Sequence, residues 1–298
     1  MNRNPVLITG ASGFVGSNLV KLLHAHGYPL ILLNHRKNIN FTASSVVHEV
    51  FPSSCREMES LFKKYQLSGV IHLATEFSAG HDSDTVEKML DANVSAGMRL
   101  LESAHKTSVP WFINAGTFWQ HVDAKDYEPV NLYAATKQAL ETIAVYYKRV
   151  SGTKIVTLCL NDTYGRGDTR KKIFALWKEL LSDETLSMDM SPGEQLMDIL
   201  HIDDVCDGFL HLIGMLEQKK LTSNDGDLFY LTSGKLLKLR DVATVFEQVS
   251  GSSLNINWGA KSYRDREVMT PACAGKPLPG WQSRISLAGG IAEFLGKY

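Results

Sequence analysis

The sequence lacks the cysteine patterns that mark disulfide-rich secreted proteins and zinc-binding domains. It has four cysteines, none in Cys-x-x-Cys spacing and none near histidines in a zinc-site arrangement. We therefore expect buried, reduced thiols at Cys55, Cys159, Cys206 and Cys273. This cysteine usage is typical of a cytoplasmic protein, and we predict no metal site.

The sequence also lacks a long hydrophobic run and an excess of charge of either sign. Its first apolar segment, Val6-Leu7-Ile8, is too short for a signal peptide core or a membrane span, and it predicts a first strand. The 31 basic and 32 acidic residues are spread along the chain, so no polybasic face is available for nucleic acid. We expect neither a nucleic acid nor a membrane as partner. The 44% hydrophobic content is that of an ordinary globular protein.

Short apolar runs alternate with longer helical stretches through the first half of the chain. The pattern predicts elements at residues 6–9, 14–26, 30–33, 58–65, 70–74, 86–105, 111–114, 133–150 and 154–160. Such alternation indicates an α/β fold, a doubly wound parallel sheet of the Rossmann type. We predict a dinucleotide-binding domain over residues 1–165 and mainly a smaller, interleaved substrate lobe over 166–298. Strands near 198–202 and 228–232 are expected to return to the main sheet.

A glycine-rich loop follows the first predicted strand and opens the first helix. Its glycines permit a tight turn, a close approach of backbone to phosphate, and close packing of helix on strand. The spacing of three differs from the strict G-x-G-x-x-G pattern, and a plain turn before a helix is the alternative. We predict cofactor contacts from Thr9, Gly10, Ser12, Gly13, Phe14, Val15 and Gly16.

The end of the second predicted strand indicates which dinucleotide binds. NAD-binding proteins place an acidic side chain there for the ribose hydroxyls, whereas this chain has Asn34, His35, Arg36 and Lys37. The two basic residues suit a ribose 2′-phosphate, and Asn34 does not repel it. We therefore predict that NADP(H) is preferred and that NAD(H) is possible; a solvated basic turn is the alternative.

Tyr133 and Lys137 lie four residues apart and therefore on one face of a predicted helix. An ammonium beside a phenol favours the phenolate, so we expect Lys137 to lower the pKa of Tyr133 towards the range of a general acid or base. A tyrosine packed under a lysine stem is the alternative for an isolated pair. The glycine loop and a hydroxyl residue ahead of the pair favour catalysis.

Several short segments elsewhere match a known family. They are His72-Leu73-Ala74, Asn93-Val94, Tyr164-Gly165, His201-Ile202-Asp203-Asp204-Val205 and Gly280-Trp281. With the glycine loop and the Tyr-Lys pair, they make the chain resemble the extended short-chain dehydrogenase/reductase family, in its nucleotide-sugar epimerase, dehydratase and reductase branch. The resemblance covers nearly the whole length. It implies further cofactor contacts from Leu73, Ala74, Thr75, Asn93, Tyr133 and Lys137.

The same resemblance implies a catalytic set. Thr117 stands at the hydroxyl position after the fifth strand and would hydrogen-bond a sugar carbonyl. Tyr133 would give that carbonyl a proton, and Lys137 would tune Tyr133 and hold the nicotinamide ribose. Asn93 and Asn114 would support the site. A Thr117 hydroxyl bonded only to backbone is the alternative.

Departures from the family pattern narrow the chemistry. The 4,6-dehydratases carry Thr-Asp-Glu, but here Phe118 and Trp119 follow Thr117, so no acid-base pair is present for elimination. Both aromatic residues are expected to shape the sugar pocket, with simple packing as the alternative. His121 could be an extra acid for an epimerisation.

Substrate phosphate contacts also depart from the family. Met197 replaces an expected arginine, which leaves Arg264 as the best candidate for the diphosphate. Arg166, Arg170 or Lys171 could compensate. Asp162 replaces an asparagine common in relatives, and Cys159 an arginine. From these comparisons we predict substrate contacts from Thr117, Phe118, Trp119, Asp162, Arg170 and Arg264.

Three stretches resemble the CDP-abequose and CDP-paratose synthases most: 115–117, 131–138 and 190–195. The expected function is NADPH-dependent reduction of the 4-keto group of a nucleotide-diphosphate 4-keto-6-deoxy or 3,6-dideoxy hexose, for surface polysaccharide (O-antigen type) synthesis. The alternatives are an NAD(P)-dependent nucleotide-sugar 4-epimerase and a non-catalytic dinucleotide-sensing protein. The family resemblance further implies a homodimer, formed through the helix that bears Tyr133 and the helix before it.

Overall fold

The computed structural model describes residues 3–34, 41, 43–122, 127–183, 185–221 and 227–297. The strands are β1 (Val6–Thr9), β2 (Leu30–Asn34), β3 (Val46–Val50), β4 (Gly69–His72), β5 (Trp111–Thr117), β6 (Lys154–Leu160), β7 (Asp162–Tyr164), β8 (Met188–Met190), β9 (Leu196–Met197), β10 (Ile199–His201), β11 (Leu228–Tyr230), β12 (Leu237–Lys238), β13 (Ile256–Trp258) and β14 (Lys276–Pro277). The helices are α1 (Phe14–Ala25), α2 (Cys55–Tyr65), α3 (Ser83–Met89), α4 (Ala96–Lys106), α5 (Leu132–Val150), α6 (Ile173–Leu180), α7 (Ile202–Glu217), α8 (Leu239–Ser250) and α9 (Leu287–Leu295).

An eight-stranded parallel sheet forms the centre of the molecule, in the order β14-β11-β6-β5-β4-β1-β2-β3. Strands β1, β2, β4 and β5 are buried along their whole length, because helices cover both of their faces. One hydrophobic core lies under α1 and α7, and the other under α2, α4 and α5. The predicted α/β, doubly wound parallel sheet is confirmed.

A third hydrophobic core lies beside the sheet and belongs to the second half of the chain. Trp177 of α6 and Phe246 of α8 are fully buried at its centre, with their rings 5.4 Å apart. Pairs of very short strands surround it: β7 with β10, β9 with β12, and β8 with β13. This lobe therefore relies on side-chain packing more than on an extended sheet.

The second half of the chain returns to the main sheet through β11, which pairs with β6. The expected strand near 228–232 is thus confirmed. The expectation that the segment near 198–202 also returns is wrong, because β10 pairs with β7, outside the main sheet. The division into domains at residues 165 and 166 stays a prediction.

Several elements differ from their expected bounds. The single helix expected over residues 86–105 is divided into α3 and α4 by a π-helical turn, Leu90–Ser95. Strand β3 was not predicted; it lies at the sheet edge and is only half-buried, so its apolar pattern is weak. Helix α2 begins at Cys55 because the Ser54 side chain caps it. The expectation of buried thiols is confirmed for Cys159 and Cys206, whereas Cys55 is exposed and Cys273 is half-buried. Among the described residues, no helix is long and apolar enough to cross a membrane.

Candidate active site

The glycine loop lies between β1 and α1 and is packed against the end of β4. Gly10 has a φ of +70°, and a Cβ there would stand 2.6 Å from the Ala74 backbone nitrogen. A Cβ at Gly16 would meet the Gly10 carbonyl and lie 2.9 Å from the Ala11 Cα. Side chains are therefore excluded from both glycine positions, and the N-terminal amides of α1 face the cleft.

Thr9 is placed differently from the other loop residues. Its side chain is fully buried, and its hydroxyl lies 2.8 Å from His72 Nδ1 while accepting a hydrogen bond from the Ala74 backbone (3.1 Å). Burial lowers the pKa of His72 to about 3, so its imidazole is neutral. Thr9 therefore holds the end of β4 beside the glycine loop from within the protein, rather than lining the cleft. The predicted loop residues that do line the cleft are Gly10, Ser12, Gly13, Phe14, Val15 and Gly16.

Asn34 ends β2 at the same cleft, and its buried side-chain amide has no hydrogen-bond partner. An orphaned buried donor at this place, together with the glycine cradle, fits a dinucleotide. Leu73, Ala74 and Thr75 line the cleft on the other side of the loop. The other predicted cofactor residues of this strand end, His35, Arg36 and Lys37, lie outside the described residues.

Asn93 lies in the π-helical turn and is fully buried. Its Oδ1 accepts hydrogen bonds from the Thr75 hydroxyl (2.9 Å) and the Glu76 backbone (2.7 Å). Its Nδ2 donates to the Glu76 carbonyl (3.0 Å) and the Thr136 hydroxyl (2.9 Å). Asn93 therefore fixes the loop after β4 against α5, a supporting role. It does not line the cleft, so the structure does not place it for the predicted cofactor contact. Asn114 is also buried and donates to Thr157 (3.5 Å).

Thr117 is the last residue of β5 and caps a short 3-10 turn, Phe118–Gln120. Its hydroxyl accepts a hydrogen bond from the Trp119 backbone (3.4 Å), and its own backbone N–H donates to Gln120 Oε1 (2.9 Å). The hydroxyl is thus bonded to backbone, as the alternative interpretation held, but only as an acceptor. Its proton remains available to donate into the cleft that Thr117 lines.

Tyr133 and Lys137 lie one turn apart on α5, which begins where Asn131 caps it by accepting from the Ala134 backbone (3.0 Å). Both side chains line the cleft although they are 9% and 2% exposed. Burial raises the pKa of Tyr133 to about 12 and lowers the pKa of Lys137 to about 8. The expected lowering of the Tyr133 pKa is therefore wrong for this structure, because loss of hydration dominates at the phenol. At neutral pH the phenol is a proton donor.

An aromatic wall surrounds Tyr133. The Phe77 ring lies 5.0 Å from the Tyr133 ring and 5.7 Å from the Trp119 ring, and Phe77 is 50% exposed. Phe118 and Trp119 also line the cleft, and their contact with a sugar stays a prediction. Sequence reasoning missed Phe77, since nothing in its spacing marks it. His121 packs edge-on against Tyr127, with ring centroids 6.1 Å apart, and the role suggested for it in epimerisation stays a prediction.

The cleft is also lined by charged residues predicted to bind substrate. Arg170 donates to both carboxylate oxygens of Asp168 (2.7 Å each) and to the Thr163 carbonyl (2.8 Å), and it stacks on the Phe14 ring (4.3 Å). Asp162 forms an ion pair with Lys172 at 3.3 Å. Both predicted residues line the cleft, but their charges are engaged within the protein.

Arg264, Lys171 and Lys261 are exposed basic residues that also line the cleft. Arg166 instead lies 3.7 Å from Glu293 and is 82% exposed. Met197 lies in the cleft wall, so the position of the expected arginine is apolar here. The cleft as a whole has a volume of about 1350 Å³, above the range of roughly 300–1,000 Å³ typical of a site for one small molecule.

Comparison with known proteins places the fold and the cleft in a family. The model of the NAD dependent epimerase/dehydratase family matches residues 6–224. The chain therefore belongs to the NAD dependent epimerase/dehydratase family. It is accordingly an NAD(P)-dependent enzyme of the oxidoreductase type.

Several characterised relatives are similar over their whole length. The CDP-abequose synthase of Salmonella typhimurium is 28% identical over 300 residues, which cover 98% of this chain and 97% of the relative. The UDP-glucose 4-epimerase of Mycolicibacterium smegmatis is 24% identical, with 96% of each chain covered. Among solved structures, the UDP-glucose 4-epimerase of Thermotoga maritima with UDP-glucose has a TM-score of 0.81 at 20% identity, with 98% of each chain covered. The structural likeness confirms the fold.

Proposed function

We propose that this enzyme uses NADPH to reduce the 4-keto group of a nucleotide-diphosphate 4-keto-6-deoxy or 3,6-dideoxy hexose. The observation that carries the proposal is that Thr117, Tyr133 and Lys137 line the same cleft as the glycine loop. Similarity to the CDP-abequose synthases over nearly the whole chain supports a nucleotide-sugar substrate.

In this proposal a dinucleotide held at the glycine loop and Asn34 would supply the hydride for the carbonyl carbon, and the protein's own residues supply the proton and the hydrogen bonds. Thr117 donates a hydrogen bond to the carbonyl oxygen, and Tyr133 transfers its phenolic proton to that oxygen as negative charge develops there. Lys137 keeps a positive charge beside the phenolate that is left. A phenol with a pKa of about 12 is fully protonated before each turnover, which suits a site that must deliver a proton.

The residues after Thr117 argue against water elimination. Phe118 and Trp119 occupy the cleft where the related dehydratases carry two carboxyl groups, and neither side chain can exchange a proton at a sugar carbon. We assign Phe118 and Trp119 to the sugar pocket. Arg264, Lys171 and Lys261 are exposed basic residues of the cleft, and we assign the diphosphate contacts to them. Arg170 and Asp162 shape this part of the cleft through Asp168 and Lys172.

The preference for NADPH rests on the sequence after β2. Asn34 offers an unpartnered amide and no negative charge, and Arg36 and Lys37 follow it in the sequence. The structural neighbours described with a bound cofactor hold NAD, so the 2′-phosphate is the feature to test. Cytoplasmic location, a homodimer and a role in O-antigen type sugar synthesis stay predictions.

The decisive experiment offers purified enzyme a panel of CDP-, dTDP- and GDP-linked 4-keto sugars with NADPH or NADH. We expect stoichiometric consumption of NADPH and a reduced sugar. Turnover of a 4-hydroxy sugar without added cofactor, by protein that retains tightly bound NAD, would instead establish the 4-epimerase alternative. Binding of dinucleotide without any turnover across the panel would favour the sensing protein.

A further inference from the structure

A buried hydrogen-bond chain joins the end of β5 to the middle of α5 behind the catalytic residues. It begins at the Thr117 backbone N–H, which donates to Gln120 Oε1 at 2.9 Å. The side-chain amide of Gln120 continues the chain, donating to Gln138 Oε1 at 2.7 Å and to Glu141 Oε2 at 2.9 Å. Gln120 is 1% exposed, whereas Gln138 and Glu141 are half-buried, so the centre of the chain is shielded from water.

The chain of bonds has a direct effect on where the Thr117 hydroxyl points. Thr117 and Gln120 form a capping box that fixes the backbone and side chain of Thr117 together. Since Gln120 is itself held by two acceptors on α5, the hydroxyl of Thr117 is fixed relative to Tyr133 on the same helix. A catalytic hydrogen bond requires this relative placement to within a fraction of an ångström.

Glu141 lies one helical turn after Lys137, and no direct ion pair joins these two described side chains. In the described part of the chain, the other titratable groups near Lys137 are Tyr133 one turn earlier on α5, Cys159 of β6 and His72 of β4. Burial raises the pKa of the Cys159 thiol, and the His72 imidazole has a pKa of about 3, so both groups are neutral. Glu141 is itself faced by Lys148 on the same helix, and Lys148 lies 3.9 Å from Asp227. Among the described residues, Glu141 is thus the charged group that raises the pKa of Lys137 against the effect of burial.

We propose that Gln120 and Glu141 are positioning residues of this site: Gln120 fixes Thr117 relative to Tyr133, while Glu141 anchors Gln120 and keeps Lys137 charged. The inference rests on the proposed reductase function for its kinetic consequences, but not for its electrostatic ones. The effect of Glu141 on Lys137 does not depend on which reaction is catalysed. A nearby carboxylate raises the pKa of an ammonium, whereas burial lowers it.

Glu141→Gln separates the two roles, because an amide oxygen still accepts from Gln120 while the charge is lost. We expect the alkaline limb of the kcat–pH profile to move down by about half to one pH unit. The KM values should stay within about twofold, since no contact to substrate changes. Glu102→Gln is the matched control: Glu102 accepts from the Tyr147 hydroxyl (2.9 Å) on the far part of α5, and its loss of charge should leave the profile in place.

The same variant can be tested without any substrate. The 13Cε resonances of labelled lysines are followed against pH in the purified protein, and the Lys137 signal is identified by its absence in Lys137→Arg. We expect Glu141→Gln to lower the Lys137 titration midpoint below that of the wild type and of Glu102→Gln. An unchanged midpoint would overturn the electrostatic role, even if the enzyme reduced none of the sugars offered.

Gln120→Leu removes both halves of the hydrogen-bond chain. We expect kcat to fall about tenfold to a hundredfold with the KM for NADPH unchanged, because Thr117 is displaced while the cofactor cleft is not. A folded Gln120→Leu protein with wild-type kcat would overturn the positioning role. If that variant does not fold, Gln120→Glu decides the matter, since it keeps the acceptor for Thr117 but repels Glu141, and should lose kcat without losing NADPH binding.

Discussion

Two groups of residues that line the cleft hold their functional side chains in opposite ways. The catalytic wall, made of Thr117, Tyr133 and Lys137, is buried, and the loss of hydration sets the protonation of its phenol and its ammonium. The basic wall, made of Arg170, Lys171, Lys172, Lys261 and Arg264, is more exposed, and the charges of Arg170 and Lys172 are neutralised by neighbouring carboxylates. The catalytic wall therefore holds a proton donor in a fixed position, and the basic wall offers positive charge to an anionic substrate that arrives from solvent.

This contrast predicts where substitutions change chemistry and where they change binding. On the catalytic wall, Tyr133→Phe removes the proton donor and little else. We expect kcat for sugar reduction to fall by about 10²- to 10⁴-fold. The measurement is NADPH oxidation with the active 4-keto sugar, with fluorescence titration of NADPH as the control for intact cofactor binding. Full activity in this variant would exclude Tyr133 as the acid.

Burial of Lys137 carries a cost in stability that the basic wall does not share. Because its folded-state pKa of about 8 lies below its usual value of 10.5, the unfolded chain binds the proton more tightly. Lys137→Met should therefore raise the free energy of unfolding at pH 7 by about 1 to 3 kcal/mol while abolishing activity. Urea denaturation tests this.

The sign can be checked by repeating the denaturation at higher pH. The wild-type protein loses the penalty as pH rises from 8 towards 10.5, so the advantage of Lys137→Met should shrink over that range. An advantage that stays constant across it would show that burial of charge is not the cause.

On the basic wall, Arg264→Ala should raise the KM for the nucleotide sugar by about tenfold, because a charge that attracts the diphosphate is lost. The kcat should be nearly unchanged, because solvent screens the effect of this exposed charge on the reacting carbonyl. Raising the ionic strength should raise the wild-type KM in the same direction. The matched control is Arg266→Ala, since Arg266 already donates to Glu128 and Pro129 at 2.9 Å. A fall in kcat for Arg264→Ala would instead show that Arg264 acts in the chemical step.

The two walls also differ in how far the sequence predicts them. Helical spacing places Tyr133 and Lys137 on one face of α5, because backbone geometry alone determines it. Thr117 at the end of β5 was implied by the family resemblance. The sequence also shows which residues of the basic wall are positively charged. It does not show that Arg170 contacts Asp168, Thr163 and Phe14, because these contacts depend on how a loop folds back. The raised pKa of Tyr133 could not be predicted from the sequence either, because it results from burial, which depends on the tertiary structure.

The fold shows the same limit. Apolar runs predict the strands buried on both faces, whereas the half-exposed β3 escapes the pattern and β10 is assigned to the wrong sheet. Gln120 and Glu141 illustrate a middle case. Glu141 follows Lys137 by one helical turn, so spacing could have indicated it, whereas the contact with Gln120 joins residues 21 positions apart. Pairing between distant segments is not encoded in local spacing.

The π-helical turn at Leu90–Ser95 sets the rotational position of the helical residues that follow it. A π turn contains one residue more than an α-helical turn of the same length, so it rotates everything after it by about 100° relative to an uninterrupted helix. Deleting a single residue here would leave a continuous helix and yet turn Asn93 away from either the Thr75 loop or Thr136. The segment should therefore tolerate many substitutions on its exposed face, but no change in its length.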